Sequence, residues 1–405
     1  MDDSDTGNGS TRHDGRRLRE LRLWRGLSLR TVAELAGISE SYLSLLERGK
    51  RALDRRSLVL ALADALQVSP ANITGQPYPP TDRAEALGHA AAPQLRAILR
   101  DVELDMLESV ADARPFAAIR ADVDAVNAAT VASDYGTLGR LVPGLITELY
   151  GLAQERPELC GDAQLLLVQV LHNAFYLVKD LGHGDLGWLV AIHLHRAAAA
   201  LGSPDWGAVA EFVRSHAVVG ERSRQRALTL AGRAADALGP GDGEHGEIYG
   251  MLNLTTALNA ASLNRADLSN DRLVEAADVA TRTGEGSFAG MMFGPTNVGL
   301  WRVALAVELG EGAKVAELAT AIDLEQISSA GRRATFWGDM ARGLTQRRGS
   351  EEQAVVALLR GEKLAPQRVR TSPYLRATVM ALLPRTRGQA ALELRGLAFR
   401  MGLTA

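Results

Sequence analysis

His193 and His195 lie closer together than any other two imidazoles in the chain, in a segment of helical pattern. Metal chemistry would need both rings on one face. An offset of two residues turns roughly 200° around a helix, so this pair cannot share a metal ion. His172, His183 and Cys160 have no companions at ligand spacing. The phosphate loop GxxxxGK[ST], the nucleophile elbow GxSxG and the zinc motif HExxH do not occur. One cysteine allows neither an intrachain disulfide nor a thiolate cluster, which fits a reducing compartment. The expectation is a protein without metal or cofactor and not an enzyme, its histidines scattered through core and surface. An enzyme stays as a remote third reading.

Charge offers a second kind of chemistry. Residues 10–60 hold twelve Lys/Arg (Arg12, Arg16, Arg17, Arg19, Arg22, Arg25, Arg30, Arg48, Lys50, Arg51, Arg55, Arg56) against six Asp/Glu. The whole chain has a net charge of −3, so a basic head of +6 is carried on an acidic remainder. Such a split suits a module that binds a polyanion, attached to a body that must not.

A third kind rests on amides. Asn173 in VLHNAFYL, Asn253 in GMLNLTTAL and Asn297 in GPTNVGLW each stand among apolar neighbours in a bulky helical segment. An amide both donates and accepts, as holding an extended peptide backbone requires. With Tyr176, Trp301, Arg302 and Trp337 as walls and charge, these side chains are the candidate effector-binding set on one groove. Satisfying a buried backbone group locally is the other role open to each asparagine.

The elements that must position these residues are helical. The chain has 405 residues, 46% hydrophobic and 23% charged, too long for one ordinary domain and too apolar for a disordered protein. No apolar run approaches the ~18–20 residues of a membrane helix, and the N-terminal residues lack the pattern of a secretion signal, so the expected location is cytoplasmic. Residues 1–14 read as a disordered tail, 15–74 as a compact helical bundle, 75–92 as a proline-rich linker and 93–405 as a helical body. Within the body, Ala-rich helices at 194–202, 230–239 and 275–284 each end in glycine, and similar helices are expected at 315–324 and 354–364. Longer, bulkier helices precede them, as at 163–182 and 246–264. A long helix followed by a small-residue helix, repeated at roughly 34–47 residues, is the pattern of a tetratricopeptide-like α-solenoid. The fold class expected is all-α.

In the bundle, Ser28 is placed to cap a helix over 29–36, Gly37 to turn the chain, and Ser39 to cap a second helix over 40–48 with Leu43 and Leu46 buried. Leu27-Ser28, Val32-Ala33, Gly37-Ile38-Ser39, Tyr42-Leu43 and Glu47-Arg48-Gly49 resemble, in order, the motif of the lambda-repressor-like or Xre-type helix-turn-helix family. The resemblance implies that the second helix enters the major groove of double-stranded DNA. It places Glu40, Ser41 and Leu45 at base edges, Ser44 beside them, and Tyr42, Arg48, Lys50 and Arg51 near phosphates. It also implies a structural pairing of Arg22 with Glu47. The family commonly has a glutamine where this chain has Leu29. Arg30 is its substitute on the phosphate backbone, and Ser28 completes the DNA-binding set.

The stretches 293–312 and 336–383 resemble actinobacterial regulators that join a tetratricopeptide-like domain to an Xre-type head. The arginine-rich composition, with only four lysines, fits such a high-GC source. That resemblance implies a transcriptional regulator, associated with development or secondary metabolism, that dimerises on an inverted-repeat operator and senses a peptide or small molecule. The competing reading is a DNA-bound adaptor whose repeats recruit a protein partner.

Overall fold

The computed structural model describes residues 11–80, 83–107, 114–218 and 223–403. Most of the tail expected over 1–14 lies outside the described residues, and the first helix begins at Thr11. The head comprises α1 (Thr11–Trp24), α2 (Leu29–Ala36), α3 (Glu40–Glu47), α4 (Arg56–Leu66) and α5 (Pro70–Thr74). The body starts with α6 (Arg83–Glu103), α7 (Phe116–Ala132), α8 (Tyr135–Glu155) and α9 (Cys160–Asp180). It continues through α10 (Gly184–Leu201), α11 (Pro204–Ala217), α12 (Ser223–Leu238), α13 (Gly243–Ser262), α14 (Ala266–Thr283) and α15 (Pro295–Glu308). After these come α16 (Val315–Ala319), α17 (Ala330–Thr345), α18 (Glu351–Leu364), α19 (Pro366–Arg370), α20 (Pro373–Leu382) and α21 (Gly388–Arg400). No strand occurs among the described residues, so the fold is all-α as the periodicity implies.

The glycine-ended helices form where the pattern places them. Gly202, Gly239 and Gly284 stop α10, α12 and α14 with φ near +71°, +73° and +71°, a backbone conformation that costs glycine little. Consecutive helices from α7 to α15 pack as hairpins, and α7, α9, α11, α13, α15 and α17 also stack on one another in series. The small-residue helices lie outside this stack: α14 buries only Ser269, Ala276, Val279 and Ala280, whereas α13 is buried on every side. Gly250 lets α13 receive the Phe293 ring where any Cβ would collide with it. The stack curls until α17 meets α7. Asp180 at the end of α9 is held there by Arg368 at 2.5 Å and by the Tyr135 hydroxyl at 2.9 Å.

Two expectations of extent change. The linker over 75–92 is non-helical only to residue 80, because α6 starts at Arg83 and runs through Pro93. Ala91, Ala92, Leu95 and Leu99 are fully buried on one face of α6. That packing outweighs the hydrogen bond a proline removes, which together with steric strain costs about 3 kcal/mol. The helix expected at 315–324 reaches only Ala319, after which a single 3-10 turn, Leu324–Gln326, leads to α17.

Candidate nucleic-acid interface and central cavity

The head presents a reading helix because each of its local signals is satisfied. Ser28 accepts from Thr31 N at 3.0 Å and Ser39 from Tyr42 N at 3.2 Å, capping α2 and α3. Gly37 turns between them at φ +67°. Leu43 and Leu46 are buried against the head's core, each contributing about 1.5–3 kcal/mol. Arg22 of α1 grips Glu47 of α3 through two bonds of 2.6 and 2.9 Å, and both side chains are buried. This pairing fixes the angle of α3 against α1.

Glu40, Ser41, Ser44, Leu45 and Arg48 share the opposite face of α3. Glu40, Ser41 and Arg48 are exposed, as are Lys50 and Arg51 just beyond the helix, while Tyr42, Ser44 and Leu45 are partly covered. Arg48 Nε donates to Ser44 O at 3.1 Å. Ser28 and Arg30 are exposed on α2, where Arg30 pairs with Glu34 at 2.9 Å.

The head rests on the body through α4. Arg55, at the N-cap of α4, offers no side-chain cap. Glu308, the last residue of α15, supplies it instead, accepting from Ser57 N at 3.0 Å and Arg56 N at 3.4 Å. Arg342 of α17 completes the joint with bonds to Glu308 (2.7 Å), Asp339 (2.6 Å) and the Asp54 carbonyl (2.7 Å). Burial works against ionisation of Glu308, but the Arg342 guanidinium outweighs it and holds the carboxyl below its ordinary range. Tyr374 of α20 packs against the head's core, and Gln76 Nε2 donates to Thr371 O at 3.1 Å.

Beneath this joint lies a partly open cavity of two lobes, about 320 and 160 Å³, which share lining residues such as Arg56, Asp180 and Arg342. The head forms part of its wall with Arg56, Leu60, Pro70 and Gln76. Tyr176 and Trp301, both expected at a ligand groove, line the smaller lobe. Asn173, Asn253 and Asn297 do not line either lobe. All three are buried on inner helices and spend their amides on neighbours. Asn173 donates to Asn127 Oδ1 and Gln169 O, Asn253 donates to Tyr249 O and accepts from Arg272, and Asn297 donates to Met251 S and accepts from Arg332. Such amides cross-link adjacent helices. Arg302 is exposed away from the cavity, and the arginine over the Trp301 ring is Arg332, at 5.2 Å. Trp337 stacks under Arg360 at 4.7 Å in the packing of α17 on α18.

The charged groups around the cavity escape a reading based on helical period. Glu308, Arg332, Arg342 and Arg368 each stand among helix residues that look like ordinary amphipathic surface. The one signal is Glu308 itself, alone in the run VALAVELG. His193 bonds the Tyr150 hydroxyl at 2.9 Å while His195 faces Glu211 at 3.0 Å, so the two imidazoles serve different partners. Among the described residues no cluster of three metal-ligating side chains occurs, and no helix is long and apolar enough to cross a membrane.

The fold and caps of the head define a helix-turn-helix domain. Residues 15–74 match the helix-turn-helix domain family over the whole of that unit, so the chain carries a DNA-binding head. No curated protein and no solved structure matches the chain.

Proposed function

We propose that the protein is a transcriptional regulator whose body, a tetratricopeptide-like repeat of the actinobacterial regulator kind, holds two chains together and senses an effector. The observation that supports this reading best is the position of α4, whose N-terminal residues are at once part of the DNA-binding head and part of the cavity wall. A molecule filling the cavity touches the head directly, and can favour one head orientation over another only by differential contact. A single head spans one half-site, so useful affinity calls for two heads about one helical turn apart on an inverted repeat. The protein would act in the cytoplasm, on genes of development or secondary metabolism.

The test is enrichment of genomic DNA fragments on the purified full chain, followed by footprinting and sedimentation. Two protected half-sites and a dimeric protein are expected. Monomeric sedimentation at micromolar concentration with single half-site footprints would overturn the dimer. Co-purification of one defined protein, with no fragment enriched, would favour the adaptor instead.

A further inference from the structure

Two donors in the smaller lobe of the cavity lack acceptors. Arg332 lines it with its guanidinium over Trp301, Nη2 donating to Asn297 Oδ1 at 2.5 Å. Among the described residues Arg332 forms no ion pair with a carboxylate, unlike Arg342 and Arg368, which bind Glu308 and Asp180. Arg332 Nε and Trp301 Nε1 are both sealed from solvent without any hydrogen-bond partner. Two unmet buried donors side by side are costly, and native proteins rarely keep them unless something else accepts from them.

Charge points the same way. Arg56, Lys179, Arg332, Arg342 and Arg368 line this lobe against only Asp180, Glu308 and Asp339. Burial pushes Arg332 down to about 10, which still leaves it a cation at neutral pH. Tyr176, Trp301, Phe336 and Met251 supply aromatic and apolar surface to the same wall.

We propose that this lobe binds a small organic anion with a flat apolar body, its carboxylate accepting from Arg332 Nε and Trp301 Nε1. Asn297 is then a positioning residue, holding the guanidinium over the indole. The proposal rests on the effector reading above and names the effector's chemical class. A carboxylate is favoured over a peptide backbone because the unmet groups are both donors, whereas a peptide backbone would bring as many donors as acceptors.

Titration calorimetry of the full chain with 2-naphthoate, neutral 2-naphthamide and acetate tests it. One naphthoate per chain is expected, with naphthamide and acetate each at least tenfold weaker. Arg332→Gln should weaken naphthoate tenfold or more. Trp301→Phe, which keeps an aromatic ring and removes one donor, should weaken it severalfold, and it carries the test if the arginine variant fails to fold. Absence of naphthoate binding, equal affinity for naphthamide, or unchanged affinity in the folded variants overturns the proposal. Naphthoate binding by a preparation that enriches no genomic DNA supports the site and overturns the regulator reading; DNA enrichment without naphthoate binding does the reverse.

Discussion

Glu40 stands exposed at the first position of α3, where a carboxylate can accept from a cytosine amino group but is repelled by every phosphate. Glu40→Gln separates the two effects. Selection from random DNA should show a change of ~1–3 kcal/mol in preference at one or two base positions, and uniform tightening on all sequences would leave Glu40 only an electrostatic role. Arg51, exposed beyond the helix, belongs to the other class of contact. Arg51→Ala should weaken all sequences alike and reduce the slope of affinity against salt by about one counterion, and an unchanged slope removes it from the interface. Arg22 and Glu47 point inward, so Glu47→Gln should act on stability: leaving the buried guanidinium without its charge partner costs about 3–5 kcal/mol in urea unfolding. The two serine caps and the glycine turn were legible in the sequence because each acts on backbone three residues away. Arg332 was not, because what distinguishes it from Arg302 is a ring on another helix, 31 positions away in the chain.

Among the elements, α4 depends most on its surroundings. Its N-terminal amides are capped by Glu308 of α15, and Glu308→Gln removes the charge that Arg342 and those amides share. A loss of about 3–5 kcal/mol at neutral pH is expected, since both charged side chains are buried. The pH dependence follows from the direction of the Glu308 shift. A carboxyl depressed in the folded state stabilises above its unfolded value and loses that contribution as pH falls through the folded one. The gap between wild type and variant should therefore hold near neutrality and shrink as pH drops below the ordinary 4.5. Asp54 and Asp339 shift upward through burial, but both chains retain them, so a gap that widened in acid would contradict this assignment. Helices α10, α12 and α14 were legible because alanine runs ending in glycine obey local rules. By contrast, residues 83–92 of α6 read as linker, since the nearby prolines are local signals and the buried face that overrides them is fixed by packing against α8.

At the scale of the whole molecule, the curl that brings α17 to α7 makes a closed wall of what periodicity alone would describe as an open stack. Closure depends on pairs such as Arg368 with Asp180, 188 positions apart, and no helical period encodes such a pair. Because the head forms part of that wall, an occupant of the cavity that changes DNA affinity by some factor must have its own affinity changed by the same factor when DNA is bound. Titrating 2-naphthoate into the protein with and without its enriched DNA fragment should give different affinities, and equal affinities would show that the cavity and the head are not coupled. The borrowed cap of α4 also has a consequence for how the protein is made. A ribosome makes Ser57 of α4 251 residues before it reaches Glu308, and Arg342 comes later still. Throughout that interval the first amides of α4 have only water to bond, and the head gains its final stability when the body has been translated and has curled back to meet it. The head is therefore a poor candidate for transplantation: joined to a foreign body it would keep its reading helix and lose the residue that finishes its fourth.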